Sequence, residues 1–207
     1  MTPAIDAPVT IHTVRASQRD AAIMILTAAF ASDPVARWVY PDAAGYLAGF
    51  PSFVRAFAGR AFTHNTAFLT GSAAALWLPP GVEPDAEALV ACVQQTVPPA
   101  MQPELFGLME TMSRFHPSEP HWYLPMIGAD PVYQGIGLGS ALLAHTLELC
   151  DRERLPAYLE STNPRNIRLY ERHGFVRTGV IGHGASPHMT AMLRRPRPVT
   201  SSTGLVR

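Results

Sequence analysis

The sequence predicts an α+β fold, an α/β sandwich around one central sheet. Three observations predict it. Short apolar runs closed by Gly, Pro, Asn or Asp mark strands, and longer stretches with apolar residues three and four apart mark helices. The two kinds follow one another in mixed order, with no internal repeat and no obvious linker. The length of 207 residues, 47% of them hydrophobic, suits one domain with a substantial core.

"TIHTVRA" alternates and predicts a first strand. Ser17 and Asp20 fit an S-x-x-D capping box, behind which Ile23, Leu26, Thr27 and Phe30 share one helical face. Asp33-Pro34 ends that helix and opens an aromatic-rich connection, "SDPVARWVYPD". A second helix is predicted from Ala44 to His64, divided in two by the Gly and Pro residues of "AGYLAGFPSFVRAFAG". "TAFLTG" and "AAALWLPPG" read as an antiparallel pair. Pro84 opens a helix that buries Leu89, Val93 and Val97, and another helical piece spans Glu104–Phe115. "HPSEP" is a turn and "HWYLPMIG" a strand. "GSALLAHTLELCDRE" is a helix with Leu143, Leu147 and Cys150 in one stripe, flanked by Leu142 and Leu149. "PAYLES" is a strand, "NPRNIRLYERHG" a capped helix, and "FVRTGVI" and "HMTAML" the last two strands. Residues 1–9 and 194–207 are predicted to be disordered, leaving 10–193 as the single domain.

Composition excludes several function classes. The formal net charge is zero, against a nucleic-acid or anionic-membrane role, which calls for a basic surface. All sixteen basic residues are Arg. Without Lys, neither the phosphate-loop lysine of nucleotide hydrolases nor an internal Schiff base with pyridoxal phosphate is available. No apolar run is long enough to span a membrane, and "MTPAIDAPVT" lacks the parts of a secretory signal. Cys92 and Cys150 read as buried thiols, and no Cys/His spacing suggests a metal site. The expectation is a cytoplasmic protein without metal, nucleic-acid or membrane partner; the sequence sets no oligomeric state.

The stretch "GADPVYQGIGLGSALL" follows a strand and opens a helix. Such a turn aims several backbone N–H groups one way, and the helix N-terminus adds partial positive charge. Gly135, Gly137 and Gly139 let a phosphorylated ligand approach the main chain, so a diphosphate is the expected cargo. The dinucleotide fingerprint G-x-G-x-x-G fails, because Ser140 follows Gly139 and the loop lies two-thirds of the way along the chain.

The pattern that fits is Q-x-x-G-x-G, met by Gln134, Gly137 and Gly139. Here the chain resembles the GNAT superfamily of acetyl-CoA-dependent N-acetyltransferases. "WYLPMIGADP" is similar to the family's fourth strand, "YLES" to its fifth, and "NPRNIRLYERHGF" to the helix that follows. From Pro117 to Thr178 the likeness is greatest to puromycin N-acetyltransferase-like members. The resemblance implies a single mixed, mostly antiparallel sheet flanked by helices. It also implies acetyl-CoA as acetyl donor, its pyrophosphate held by Gln134, Gly135, Ile136, Gly137, Leu138, Gly139 and Ser140.

Acetyl transfer to an amine needs a deprotonated amine, a positioned carbonyl and a proton for the leaving thiolate. The resemblance assigns the carbonyl to the backbone of Met126, Ile127, Gly128 and Ala129; Pro125 has no N–H to give. It places Tyr170 near the thioester sulfur as general acid. A phenol of pKa about 10 can protonate a thiolate whose thiol resembles Cys, at about 8.5, mildly uphill. Asn163 is a natural N-cap before Pro164, and the resemblance makes it a cofactor contact too, with Asn166 as a second. Glu160, ending an apolar strand, is the candidate base and His121 a competing one; a strand-end salt bridge is the alternative for Glu160. Asp33 could hold an ammonium while Trp38 and Tyr40 line an acceptor pocket, a helix cap with core aromatics being the alternative.

These readings converge on transfer of acetyl from acetyl-CoA to a primary amine of a small molecule, by direct attack in a ternary complex. Acetylation of peptide N-termini or protein lysines is a variant, and a non-catalytic acetyl-CoA sensor the alternative of another class.

Overall fold

A computed structural model describes residues 9–198. β1 (His12–Thr13) leads through a 3-10 turn at Ala16–Gln18 into α1 (Arg19–Ala29), α2 (Pro34–Val39), α3 (Ala43–Ala58) and α4 (Arg60–Thr63). Next come β2 (Ala67–Thr70), β3 (Ala73–Leu78), α5 (Ala86–Thr96), α6 (Gln102–Ser113) and β4 (Trp122–Ala129). A 3-10 turn at Pro131–Tyr133 precedes α7 (Leu138–Glu153) and β5 (Ala157–Ser161). A 3-10 turn at Pro164–Asn166, α8 (Ile167–Arg172), β6 (Val176–Ile181) and β7 (Met189–Arg194) complete the order. No described helix is long and apolar enough to cross a membrane.

The strands form one sheet in the order β1-β2-β3-β4-β5-β7-β6. Only β4 and β5 run parallel; every other pair is antiparallel. This is the mixed, mostly antiparallel sandwich expected. Strand alternation divides the core. On β3, Ala74, Leu76 and Leu78 face the cluster built by α1 to α6, while Ala73, Ala75 and Trp77 face that built by α7 and α8. All six β3 residues are therefore buried, as in a strand covered on both faces.

One feature of the sheet positions the site. β4 pairs with β5 only at Trp122↔Ala157 and Tyr123↔Tyr158. Beyond that, Met126–Ala129 stay paired to β3 while Leu159–Ser161 pair with β7, so the sheet splits between its two parallel strands. The register slips at the split, where Leu124 and Pro125 bulge out of β4. Pro125 has no N–H to continue the ladder toward β5. Gly128 lets α1 approach this strand, since a Cβ there would stand 2.5 Å from the Ala29 Cβ.

Several local expectations are corrected. The Ser17/Asp20 capping box does not form: Gln18 accepts from the Arg15 N–H at 3.1 Å one turn earlier, and Asp20 instead pairs with Arg55 at 2.9 Å. "SDPVARWVYPD" contains α2, because Asp33 caps it and Pro34 occupies its first turn. Pro51 stays inside α3, whose buried Tyr46, Phe50 and Val54 hold it; the break comes at Gly59. The expected disordered flanks lie outside the described residues, apart from Val9 and 194–198. Arg194 is not frayed but closes β7, 3% exposed and paired bidentately with Asp151 at 2.7 and 2.8 Å.

Candidate active site

Two cavities meet at the split in the sheet, with Phe30 on the wall of both. The larger, about 420 Å³, lies against the N-terminus of α7. Gly135 and Gly137 have φ of +80° and +94°, the left-handed region that favours glycine, and turn the chain sharply into α7. The first helical bond is Ala141 N–H to Gly137 O at 3.0 Å. The N–H groups of Leu138, Gly139 and Ser140 therefore have no acceptor within the helix, and these residues line the cavity. The Gln134 amide ties the loop to the Ala129 carbonyl at 3.2 Å, and Ser140 Oγ lies 2.7 Å from His173 Nε2.

Of the expected cofactor residues, Ile127, Gly128, Ala129, Gln134, Gly135, Gly137, Leu138, Gly139, Ser140, Asn163 and Asn166 line this cavity. Ile136 does not: its half-buried side chain packs against the core cluster that α7 covers. Met126 is one residue earlier on β4 and points to the opposite face, into the smaller cavity. Asn163 Oδ1 accepts from Arg165 N–H at 3.1 Å, so the cap forms and its residue still borders the cavity. Arg165 and Arg172 add cationic charge to the wall. The sequence reading did not single out Arg172, which follows Arg165 and Leu169 at helical spacing.

Tyr170, on α8, is 6% exposed and lines the same cavity. Burial, and less strongly the charge of Asp33, hold its hydroxyl well above the ordinary tyrosine range, so it stays protonated.

The smaller cavity, about 80 Å³, is walled by Phe30, just after α1, and by aromatic and apolar side chains from α2, α3, α6 and β4. Phe50, Phe53 and Phe57 form one wall, with ring centroids 6.0 and 5.4 Å apart along α3; Leu105, Leu108, Met109 and Met112 of α6 form another. Its polar residues are Glu160, Asp33 and Thr162 with Tyr40 and Tyr123. Asp33 Oδ1 caps α2 by accepting from Val35 and Ala36 N–H, and the Thr162 hydroxyl donates to Oδ2 across the split. Burial pushes this carboxyl up against those three hydrogen bonds. Asp33 is thus both cap and cavity wall. Tyr40 lines the cavity, its hydroxyl 2.9 Å from Thr96 Oγ1 and pushed up to about 12, mainly by burial.

Trp38 lines neither cavity and packs on the core. Because α2 is helical, Val35, Ala36 and Val39 face the cavity and Trp38 the other way. His121 lies outside both cavities, at the outer end of β4. Glu160 has its side chain 3% exposed and His116, which the sequence reading did not single out, 3.2 Å away. His116 thus stands where the alternative reading placed a salt-bridge partner, with Glu160 Oε1 making no hydrogen bond.

Comparison with known proteins bears on this architecture. The model of the acetyltransferase (GNAT) family matches residues 61–175, more than half of the chain, including both parallel strands at the split. The chain belongs to this family. A stretch of 72 residues is 42% identical to a mycothiol acetyltransferase of Acidothermus cellulolyticus, covering 33% of this chain and 22% of that one. Another of 55 residues is 42% identical to an uncharacterized N-acetyltransferase of Schizosaccharomyces pombe, over 27% and 22%. The matched stretch is thus about a fifth of either relative's length. A crystal structure described as histone acetyltransferase HPA2 and related acetyltransferase, from Corynebacterium glutamicum, superposes with a TM-score of 0.66 at 26% identity. That match covers 94% of this chain and all of the other.

Proposed function

We propose that this GNAT protein transfers the acetyl group of acetyl-CoA to the primary amine of a small, apolar molecule by direct attack in a ternary complex. One observation carries the reading. The phosphate-type cavity with Tyr170 and the apolar cavity with Glu160 and Asp33 open onto the same split between β4 and β5.

The larger cavity fits the donor's anionic end through the unbonded N–H groups at the start of α7 and the charges of Arg165 and Arg172. The β4 edge from Met126 to Ala129 has no strand partner on its β5 side, which leaves amides to orient an acyl carbonyl. Acetyl-CoA supplies the activated acetyl thioester. Asp33 and Glu160 offer carboxylates to an ammonium in an otherwise apolar cavity, and Glu160 takes its proton. Tyr170 holds a proton for the departing sulfur. Neither Cys92 nor Cys150 lines either cavity, which favours direct attack over an acetylated thiol.

The aromatic and Met-lined wall favours an amine with an aryl or alkyl body over a peptide N-terminus or lysine. The likeness to puromycin N-acetyltransferase-like members also favours a small-molecule acceptor. A cytoplasmic setting, as the sequence leads one to expect, suits the reaction. A pure sensor would have no use for an acceptor cavity with a buried carboxylate.

The experiment is CoA-thiol release over an amine panel, with thermal shift beside it. Acetyl-CoA and CoA, but not NAD, should raise Tm by mass action, and 2-phenylethylamine should be acetylated faster than spermidine. Stabilisation by NAD alone, or a preference for polycations or lysyl peptides, would overturn the reading.

A further inference from the structure

Behind Glu160, two imidazoles that the reaction above leaves unused continue a line of polar groups from the acceptor cavity toward the protein surface. Glu160 borders the cavity, and its Oε1 is buried without a hydrogen bond. His116 Nε2 stands 3.2 Å from that oxygen. The other nitrogen of the ring, Nδ1, is 3.3 Å from His121 Nε2, and His121 Nδ1 is 2.8 Å from the Glu119 carbonyl oxygen. His116 packs between Tyr123 and Tyr158, 4.6 Å from each ring, with its side chain 27% exposed, and His121 is likewise half-buried.

The polarity of the line follows from its outer end. A carbonyl oxygen only accepts, so His121 Nδ1 carries a proton there. A neutral His121 then offers a lone pair at Nε2, and His116 must donate to it from Nδ1. His116 Nε2 is left with a lone pair facing Glu160 Oε1, which as a carboxylate oxygen also has only lone pairs. Between these two atoms there is room for one proton, and Oε1 has no hydrogen bond of its own, although the hydroxyls of Tyr123 and Tyr158 lie close to the same carboxylate.

We propose that His116 and His121 form a two-imidazole relay that carries the acceptor amine's proton from Glu160 to solvent; the proposal rests on the acceptor cavity assigned above. The ammonium N–H bond breaks, its electron pair stays on nitrogen, and the proton passes to the Glu160 carboxylate. It moves on to His116 Nε2 as the Nδ1 proton crosses to His121 Nε2. His121, now protonated on both nitrogens, releases its Nδ1 proton to water. One proton enters and one leaves; the rings, left in the opposite tautomers, exchange back through water.

The surroundings favour release at the outer end. Burial, helped by the neighbouring His116, holds His121 below the ordinary histidine range; the Glu119 carbonyl, Glu83 and Glu160 oppose this without reversing it. The Glu119 side chain is taken up by Arg195. The other titratable groups against the pair, Tyr123 and Tyr158, are raised mainly by burial and further by Glu160, so both stay neutral.

The test uses the full chain and two acceptors: 2-phenylethylamine, an ammonium at pH 7, and its β,β-difluoro analogue, a weaker base largely neutral there. His116→Gln, and His121→Gln at the partly exposed end, should each lower kcat/KM for 2-phenylethylamine by about 10²-fold. The difluoro amine should react at near wild-type rates, added imidazole should restore the loss, and the Tm shift with acetyl-CoA should not change. Equal losses on both amines without rescue would make the rings structural, and full activity on the charged amine would take them off the proton path. Either result overturns the relay while the acceptor cavity stands. A wild type inert toward both amines sinks the acceptor reading, and the relay with it.

Discussion

Tyr170 and Glu160 approach the split in the sheet from opposite sides, and in the proposed reaction each carries one half of the proton traffic. Tyr170 is buried on α8 with its pKa raised, so it holds its proton until a strong base forms beside it. Tyr170→Phe keeps the ring that packs against Phe175, 6.1 Å between centroids, and removes only the hydroxyl. It should lower kcat by about 10²-fold with little change in the acetyl-CoA Tm shift. Unaltered turnover in a stopped-assay comparison would remove Tyr170 from the mechanism. At this scale the sequence was most legible where a side chain stands in a motif, as Tyr170, Asn163 and the loop glycines do. Thr162 and His116 were not, because their roles arise from partners far along the chain: Asp33 for one, Glu160 for the other.

Among the elements, the turn into α7 matters most, and its glycines differ in why they are glycine. Gly137 needs its left-handed φ of +94°, so Gly137→Val should cost about 1–3 kcal/mol of stability as well as acetyl-CoA binding. Gly139 is ordinary helix, and a Cβ there meets only Leu169 at 3.6 Å, a normal contact. Gly139→Val should therefore fold with Tm close to wild type yet lose the acetyl-CoA shift, because its side chain enters the cavity that the residue lines. Retention of that shift would move the phosphate site elsewhere. Periodicity found α7 and its stripe, since Leu143, Leu147 and Cys150 are all buried as their spacing requires. It missed α2: six residues give too short a window, and Trp38 was accordingly assigned to a pocket that helical geometry turns it away from.

Across the whole molecule, the end of β7 and the residues just after it are fastened to α7. Asp151 accepts two hydrogen bonds from Arg194 and one from Arg197 N–H, and Arg194 also donates to the His173 carbonyl at 3.0 Å. Arg194 is 3% and the Asp151 side chain 18% exposed. Removing Arg194 takes two of the three hydrogen bonds from the half-buried Asp151 carboxylate, so Arg194→Ala should destabilise by about 1–3 kcal/mol in urea unfolding at pH 7. Burial alone would raise Asp151, but Arg194 and Arg197 outweigh it and hold the carboxyl below its ordinary range. A lowered folded pKa means stabilisation present above the unfolded value of about 3.9 and lost as pH falls through the folded one. The stability gap between wild type and Asp151→Asn should stay constant from pH 7 to 5 and shrink below about pH 4. A gap that widens in acid would show that the pair does not work this way.

The sequence by itself determined the strands and the longer helices, the glycine-rich turn before α7 and the family, because these depend on neighbours within a few turns of chain: periodicity, turn residues and a six-residue motif. Tertiary structure alone decided that the sheet splits beyond Tyr123 and Tyr158, that an apolar cavity forms beneath α3 and α6, and that His116 meets Glu160. Those facts depend on which strands share an edge and which helices cover a face, and contacts between residues far apart in the chain leave no spacing to read.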